Sequence, residues 1–472
     1  MNSRSHKLQF LLIAFLAGCQ TTELVSRVNF PDAAATVSAA AESAAATPEM
    51  AELTQLTESL TQPRTASELV TVALDRHPQI LAARERIRAL QEQITVAGSQ
   101  PDPRMTLTAQ PAPVQTASGA QQFIVSASQE YLSEEKRTAR ADVARSMVQI
   151  AEATLRAKEV EISAQVRHNA YELRFLQLSI AVTQTEQQLL QEIRTIAATR
   201  YRTSATSQQD VLRADLEISR LQNELILLKQ QVTTRQTRLA ELLNVPLTLK
   251  IRTIESTPDP VLPDDPAMLQ DLALMLRPEL KASEAAIQRD RRAAELAREE
   301  YYSDVTLGLS WIDVADHGQS PVANGQDAVM LTAGFRFPIR QERIRAAVAA
   351  AEADMAASTR SHDALRNSTE ADVQDLFQRA QSLQQMLHID REEMIPRARQ
   401  TLQVSSAAYN VGQVDFLQLM DNWRTLLTLQ TARLRREADL WQTISALQRA
   451  TGDAWSPATV ADLPAAEADP QQ

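Results

Sequence analysis

Cysteine is nearly missing from this chain. Of 472 residues only Cys19 carries a thiol, so no disulfide can form within the chain. Glycine falls to 9 residues and aromatics to 4%. No Gly-rich nucleotide turn, no P-loop and no H-E-x-x-H pattern occurs. The six histidines, at 6, 77, 168, 317, 362 and 388, are never paired at ligand spacing on one face. These gaps leave no catalytic site, no metal site and no cofactor to argue for. Beyond residue 19 no run of 18 or more apolar residues appears, so a membrane-spanning helix is excluded and any crossing must use strands. The formal net charge of −11 argues against nucleic acid as a partner. What the chain has in plenty is Ala, Gln, Leu, Arg and Glu, the composition of long helices.

The N-terminus reads as a targeting signal. Arg4 and Lys7 precede a short apolar run, Leu8 to Ala17, that ends in Leu16-Ala17-Gly18-Cys19. This ending resembles the bacterial lipobox, which implies cleavage after residue 18 and lipid on Cys19. Gln20, where an inner-membrane retention signal has Asp, favours sorting to the outer membrane. Residues 19–65, rich in Ala, Thr, Ser and Pro, read as a tether, and 453–472 as a disordered tail.

Between these ends the chain runs through one plan twice. Ala73-Leu74 with His77-Pro78-Gln79-Ile80 matches Ala273-Leu274 with Arg277-Pro278-Glu279-Leu280, an offset of 200. Tyr201-Arg202-Thr203-Ser204 pairs with Tyr409-Asn410-Val411-Gly412, an offset of 208. The units are 66–244 and 266–452, joined by 245–265. Each reads helix, strand, strand, very long helix, turn, helix. Pro78 suits a first helical turn, and Pro101 and Pro103 end that helix over 78–101. Residues 133–200 contain neither Pro nor Gly, which predicts a helix about 100 Å long. Residues 340–408 repeat it, with a kink or interruption expected at Pro396. Phe416, Met420, Trp423, Leu427 and Leu434 lie on one heptad seam of the last helix, and Leu419, Leu426, Leu440 and Leu447 on a second. Two seams require neighbours on two sides.

The strand-like runs alternate. Val305, Leu307, Leu309 and Trp311 oppose Asp304, Thr306, Gly308 and Ser310, while Val329, Leu331, Ala333, Phe335 and Phe337 oppose Met330, Thr332, Gly334 and Arg336. The pattern fits membrane strands with Trp311 and Phe335 toward lipid and Thr306 and Thr332 inward; hairpins of a soluble sheet fit it too.

Arg277-Pro278-Glu279-Leu280, the strand ending Phe337-Pro338, Tyr409-Asn410-Val411-Gly412-Gln413-Val414-Asp415-Phe416-Leu417 and Leu447-Gln448-Arg449-Ala450-Thr451-Gly452, in this order, resemble the TolC-type outer-membrane efflux channel family. The resemblance covers about residues 66–452. It implies a mainly α protein with a small β part: long antiparallel coiled-coil helices forming an α-barrel, and four transmembrane strands per protomer in a shared trimeric 12-stranded barrel. An independent argument agrees that chains must combine, since four strands cannot close a barrel and lipid tolerates no open edge. The resemblance further implies a homotrimer serving as exit duct of a tripartite pump. A periplasmic adaptor would dock on the tips Thr203, Ser204, Val411, Gly412 and Gln413. An inner-membrane transporter, of resistance-nodulation-division type, would supply the energy. It places the closed aperture at Asp210, Tyr409 and Asp421, with Tyr409 bonding across the closed end. Asp210 and Asp421 as ordinary solvated residues, and Asp415 as a cap of the last helix, are the competing readings. Gln418 stands where some members carry another Asp. The second unit is similar to the heavy-metal branch, yet no Met, His or Cys cluster supports a metal cargo. A lipid-anchored scaffold without a barrel and a polypeptide secretion duct are the alternatives.

Overall fold

The computed structural model describes residues 60–204, 206–254, 259–316 and 325–459. Cys19, the signal segment, most of the tether and the end of the tail lie outside the described residues. The chain begins with a two-residue strand β1 (Pro63–Arg64) and two helices, α1 (Ala66–Arg76) and α2 (Pro78–Gly98). A hairpin follows, β2 (Arg104–Thr116) and β3 (Gly119–Tyr131), then α3 (Glu134–Arg202) and α4 (Gln208–Leu243). Short strands β4 (Arg252–Thr253) and β5 (Pro260–Val261) form the connector. The same order then returns as α5 (Pro266–Leu276), α6 (Pro278–Glu299), β6 (Val305–Val314), β7 (Ala328–Phe335), α7 (Gln341–Ile389), a π-turn at Asp390–Met394, α8 (Ile395–Asn410) and α9 (Phe416–Ala450), closing with β8 (Ala458–Thr459).

Local chemistry sets these boundaries. Thr65 and Glu68 form a reciprocal capping box at the start of α1. His77 caps α2 by accepting from the Gln79 N–H on Nδ1, ahead of Pro78 in the first turn. Ser133 accepts from the Lys136 N–H, and Glu134 and Glu135 meet the positive end of α3 while Arg200 and Arg202 meet its negative end. The helix then runs 69 residues unbroken, about 100 Å. Its counterpart does not. Pro396 has no N–H for the Glu392 carbonyl, and the chain accommodates it by one wider turn in which the Ile395 N–H reaches back to the Asp390 carbonyl.

Helices α2 and α4 both pack along α3, one on each half, as their summed lengths require. Helix α6 lies between α3 and α7 near the sheet, and α9 packs against α3, α7 and α8 toward the far end. Both seams of α9 are buried except at Leu427, which is half-buried, and Trp423 and Phe416 are among the largest fully buried side chains. The ends of the body reach past their compositional boundaries. Leu60 is buried and β1 pairs in parallel with β4. Beyond α9, Asp453 is gripped by both guanidinium nitrogens of Arg167, and Trp455 joins the core around Trp441 and Phe377.

The four long strands make one antiparallel sheet in the order β2-β3-β6-β7. Its register aligns Leu107, Val125, Trp311 and Val329 across the sheet, and Thr106, Ser126, Ser310 and Met330 on the opposite face. Leu331 is 82% exposed and Phe335, Leu307, Leu309 and Trp311 are all exposed beside it. On the other face Ser126 and Ser310 share a hydrogen bond of 2.9 Å. Residues 110–113, with Pro111 and Pro113, bulge out of β2 at its upper end.

Candidate functional site

Two places carry the chemistry of this molecule: the apolar sheet and the far tip of the helices. In the sheet, Trp311 and Phe335 share the exposed apolar face, and Thr306 and Thr332 the opposite one. Beyond both flanking strands, β2 and β7, no further strand is paired among the described residues. The sheet is tied to the helices by Lys136. Its Nζ lies 2.8 Å from Asp304 and 3.0 Å from Glu300, with Lys136 and Asp304 both buried. Burial alone would lower the pKa of the amine, but the two carboxylates outweigh it and hold the group above its ordinary value.

At the tip, α3 and α4 join through Thr203 to Ser207, and α8 and α9 through Val411 to Asp415. The second turn is a Schellman closure: the Gln413 N–H bonds to the Ala408 carbonyl at 2.9 Å and the Gly412 N–H to the Tyr409 carbonyl at 3.1 Å. Gly412 holds φ +79°, which glycine adopts at little cost. In the first turn Ser204 fills the same slot at φ 57°, its N–H bonded to the Tyr201 carbonyl at 2.9 Å. The two turns therefore share their geometry although only one has glycine. Asp415 does stand at the start of α9, but its side chain makes no capping bond.

Arg200 joins the two turns. Its guanidinium donates to the Tyr409 carbonyl and lies 4.6 Å over the centre of the Tyr409 ring, which packs against Phe416 at 5.7 Å. Tyr409 is only 2% exposed. Its hydroxyl lies near Thr206 without ordinary hydrogen-bond geometry, and Thr206 instead donates to Asp210. Burial pushes the hydroxyl's pKa up, and the charges of Asp210 and Asp415 add to that rise against the opposing pull of Thr206 and Arg200. Asp210 is thus a buried member of this cluster. Asp421 is not: it is exposed on α9, away from these contacts. Val411 and Gly412 are exposed, as are Thr203, Ser204 and Gln413.

Just above, Leu190, Ile193, Leu221, Leu402, Leu419 and Trp423 form a core shared by all four tip helices. Trp423 donates from Nε1 to buried Glu186 at 3.0 Å, and burial raises the pKa of that carboxyl despite the bond. Neither Arg200 nor Glu186 stands out in the sequence. Arg200 is one of many arginines, and Glu186 one of many acids on a polar helix.

Residues 69–245 and 269–453 match the family described as outer membrane efflux protein. The chain belongs to that family. The pyoverdine export outer membrane protein OpmQ of Pseudomonas putida is 23% identical over 283 residues, 59% of each chain, so the chain spans about three fifths of the curated relative it matches. The fold is that of solved channels. VceC of Vibrio cholerae superposes with a TM-score of 0.67 at 19% identity, covering 82% of this chain and 96% of that one. The CmeC channel of Campylobacter jejuni gives 0.68 at 12% identity, covering 82% and 85%. The place of this family member is the outer membrane.

Proposed function

We propose that this protein is the outer-membrane exit duct of a tripartite trans-envelope pump, passive itself and energised by an inner-membrane transporter of the resistance-nodulation-division type. The observation that carries the reading is a sheet whose one face is apolar and exposed and whose two edges meet no further strand among the described residues. Such a sheet is stable in lipid only when copies join edge to edge into a closed barrel. A scaffold without a barrel would have no use for it. Three copies, as the family resemblance implies, would give 12 strands and set the helices around a common lumen. Lipid on Cys19 would add an acyl anchor to the barrel.

The tips Thr203, Ser204, Val411, Gly412 and Gln413 would receive the helical hairpin of a periplasmic adaptor, and the cluster of Arg200, Tyr409 and Asp210 would hold the resting duct shut. Asp421, exposed on α9, would face the constriction from each copy, a natural place for a divalent cation. A relative named for pyoverdine export supports a small exported molecule as cargo.

The test is reconstitution of the purified full chain in planar bilayers, with its mass measured in detergent. A trimer that inserts and conducts in uniform steps, with conductance raised by its adaptor, is the expected result. A monomer without bilayer conductance would refute the reading.

A further inference from the structure

The π-turn at Asp390–Met394 interrupts the one helix whose counterpart, α3, is continuous. It is not loose. Asp390 is buried and paired with Arg436 of α9, while Arg391 reaches Asp259 of the connector at 2.5 Å and Glu437 of α9 at 3.7 Å. A clamped turn of this kind is a poor hinge. Its effect is on phase.

On the inner side, facing α9, the buried residues include Leu383, Leu387, Asp390, Ile395, Leu402 and Tyr409. The steps are four and three above the turn and seven and seven below it, as a heptad seam demands. Across the turn the step is five, one more than the seam allows. The exposed apolar residues follow the same grid one position earlier. Met386 and Ile389 are exposed apolar residues three apart; below the turn Met394, Val404 and Val411 continue on a heptad grid, and again the crossing step is five. One inserted residue thus keeps two stripes, themselves about 100° apart around the helix, straight where both would otherwise turn aside by about 100°.

The inner stripe serves the protomer's own core. The outer stripe has no neighbour among the described residues that buries it: Val404 is 63% and Val411 71% exposed. The opposite flank of the tip helices carries a matching row. Helix α4, which packs along α3, leaves Leu212, Leu216 and Ile226 exposed on its own heptad grid. Both rows start at the tip turns, and that of α4 reaches Ile226, about level with the π-turn. Counted from the helix ends at Gln208 and Asn410, exposed Lys229 of α4 and exposed Glu392 of the π-turn stand within about one helical turn of the same height, as do Glu224 and Arg397, the latter already paired with Glu393. The occupant that fits the outer stripe is therefore α4 of a second copy of this chain, continuing in the helices the edge-to-edge closure argued for the sheet.

We propose that the π-turn is a phase corrector, whose extra residue aligns Met386, Ile389, Met394, Val404 and Val411 into the seam that receives α4 of the neighbouring copy. The inference rests on the duct reading above but makes a separate claim about where copies touch and what aligns them.

The test uses the full chain in native membranes with two engineered cysteine pairs. Leu216→Cys with Val404→Cys lies below the turn, and Gln230→Cys with Ile389→Cys above it. Both pairs are expected to form disulfides between chains. Deleting Glu393 removes the inserted residue; the lower pair should then fall at least tenfold in crosslinking while the upper pair persists. Adding one Ala after Glu392 in the deleted chain should restore it. Unchanged crosslinking of the lower pair after the deletion would overturn the phase role. A trimer that conducts but crosslinks at neither pair would overturn the seam and leave the duct standing. A monomer would sink the duct itself. Loss of both pairs in the deleted chain with no recovery on adding Ala would show that the turn serves folding alone.

Discussion

Arg200→Ala tests whether the tip is held by the contact between the two turns. The guanidinium makes a charge-assisted bond to the Tyr409 carbonyl and a cation–π contact at 4.6 Å on its ring. The bond is worth about 1.5–3 kcal/mol and the ring contact about 0.5–1 kcal/mol at a half-buried site. Losing both removes roughly 2–4 kcal/mol per protomer, and even ~2 kcal/mol moves a two-state closed–open balance about thirtyfold. Single-channel conductance in planar bilayers should therefore shift toward longer and larger openings. Tyr409→Phe is the discriminating control. It keeps the carbonyl and the ring, and removes a hydroxyl that makes no ordinary hydrogen bond inside the protomer. A change in Tyr409→Phe as large as in Arg200→Ala would refute the reasoning, and would mean that the hydroxyl bonds across to another copy.

Other expectations are simpler. Leu307→Arg, on the apolar face, should cost about 2–4 kcal/mol of barrel stability near the membrane midplane, while Thr306→Arg on the opposite face should cost much less; heat-modifiable migration on gels would rank them. Ser204→Gly should stabilise the first tip turn by about 0.5–1 kcal/mol, since glycine holds φ 57° without strain. Gly412→Ala should do the reverse by about 1 kcal/mol, because it is strained at φ +79° and its methyl would press on Arg200 at 3.1 Å; urea unfolding midpoints would show both signs. The raised pKa of Glu186 works against stability as pH rises. Its favourable contribution is complete below the unfolded value of 4.5 and is lost as pH climbs through the higher folded value. Glu186→Gln, which can still accept from Trp423, should raise Tm at pH 7.5 and lose that advantage near pH 4.

The parts of this fold that follow a period were readable in advance. The Pro- and Gly-free run predicts α3 within two residues at each end, and of the two seams of α9 every residue but the half-buried Leu427 is buried. The alternation over 305–311 and 329–337 predicts which strand residues share a face, though β7 itself stops at Phe335, ahead of Pro338. The π-turn was half visible. Pro396 announces an interruption, but whether the chain kinks, breaks or widens depends on Arg436, Asp259 and Glu437, which come from elsewhere in the chain. At the tip, Gly412 marks its own turn, whereas Ser204 adopts the left-handed conformation only because two long helices fix where the turn must go. Arg200 and Glu186 were illegible for a related reason: each owes its role to a partner, Tyr409 or Trp423, more than 200 residues away.

The open edges of β2 and β7 have a consequence for how the protein is made. The helical body has its cores within one chain and can form as soon as the chain is released. The sheet cannot finish alone, because its unpaired edges are barred from lipid and its apolar face is barred from water. On the duct reading proposed above, insertion is a reaction between chains, and its rate rises steeply with their concentration. A protomer kept waiting exposes two sticky edges, and the paired prolines at 111 and 113, which have no N–H to offer, blunt one of them at its upper end. Scarce chain should thus linger in the periplasm as a folded stalk with an unfinished head, a natural target for chaperones and proteases, until enough copies meet to cross the membrane together.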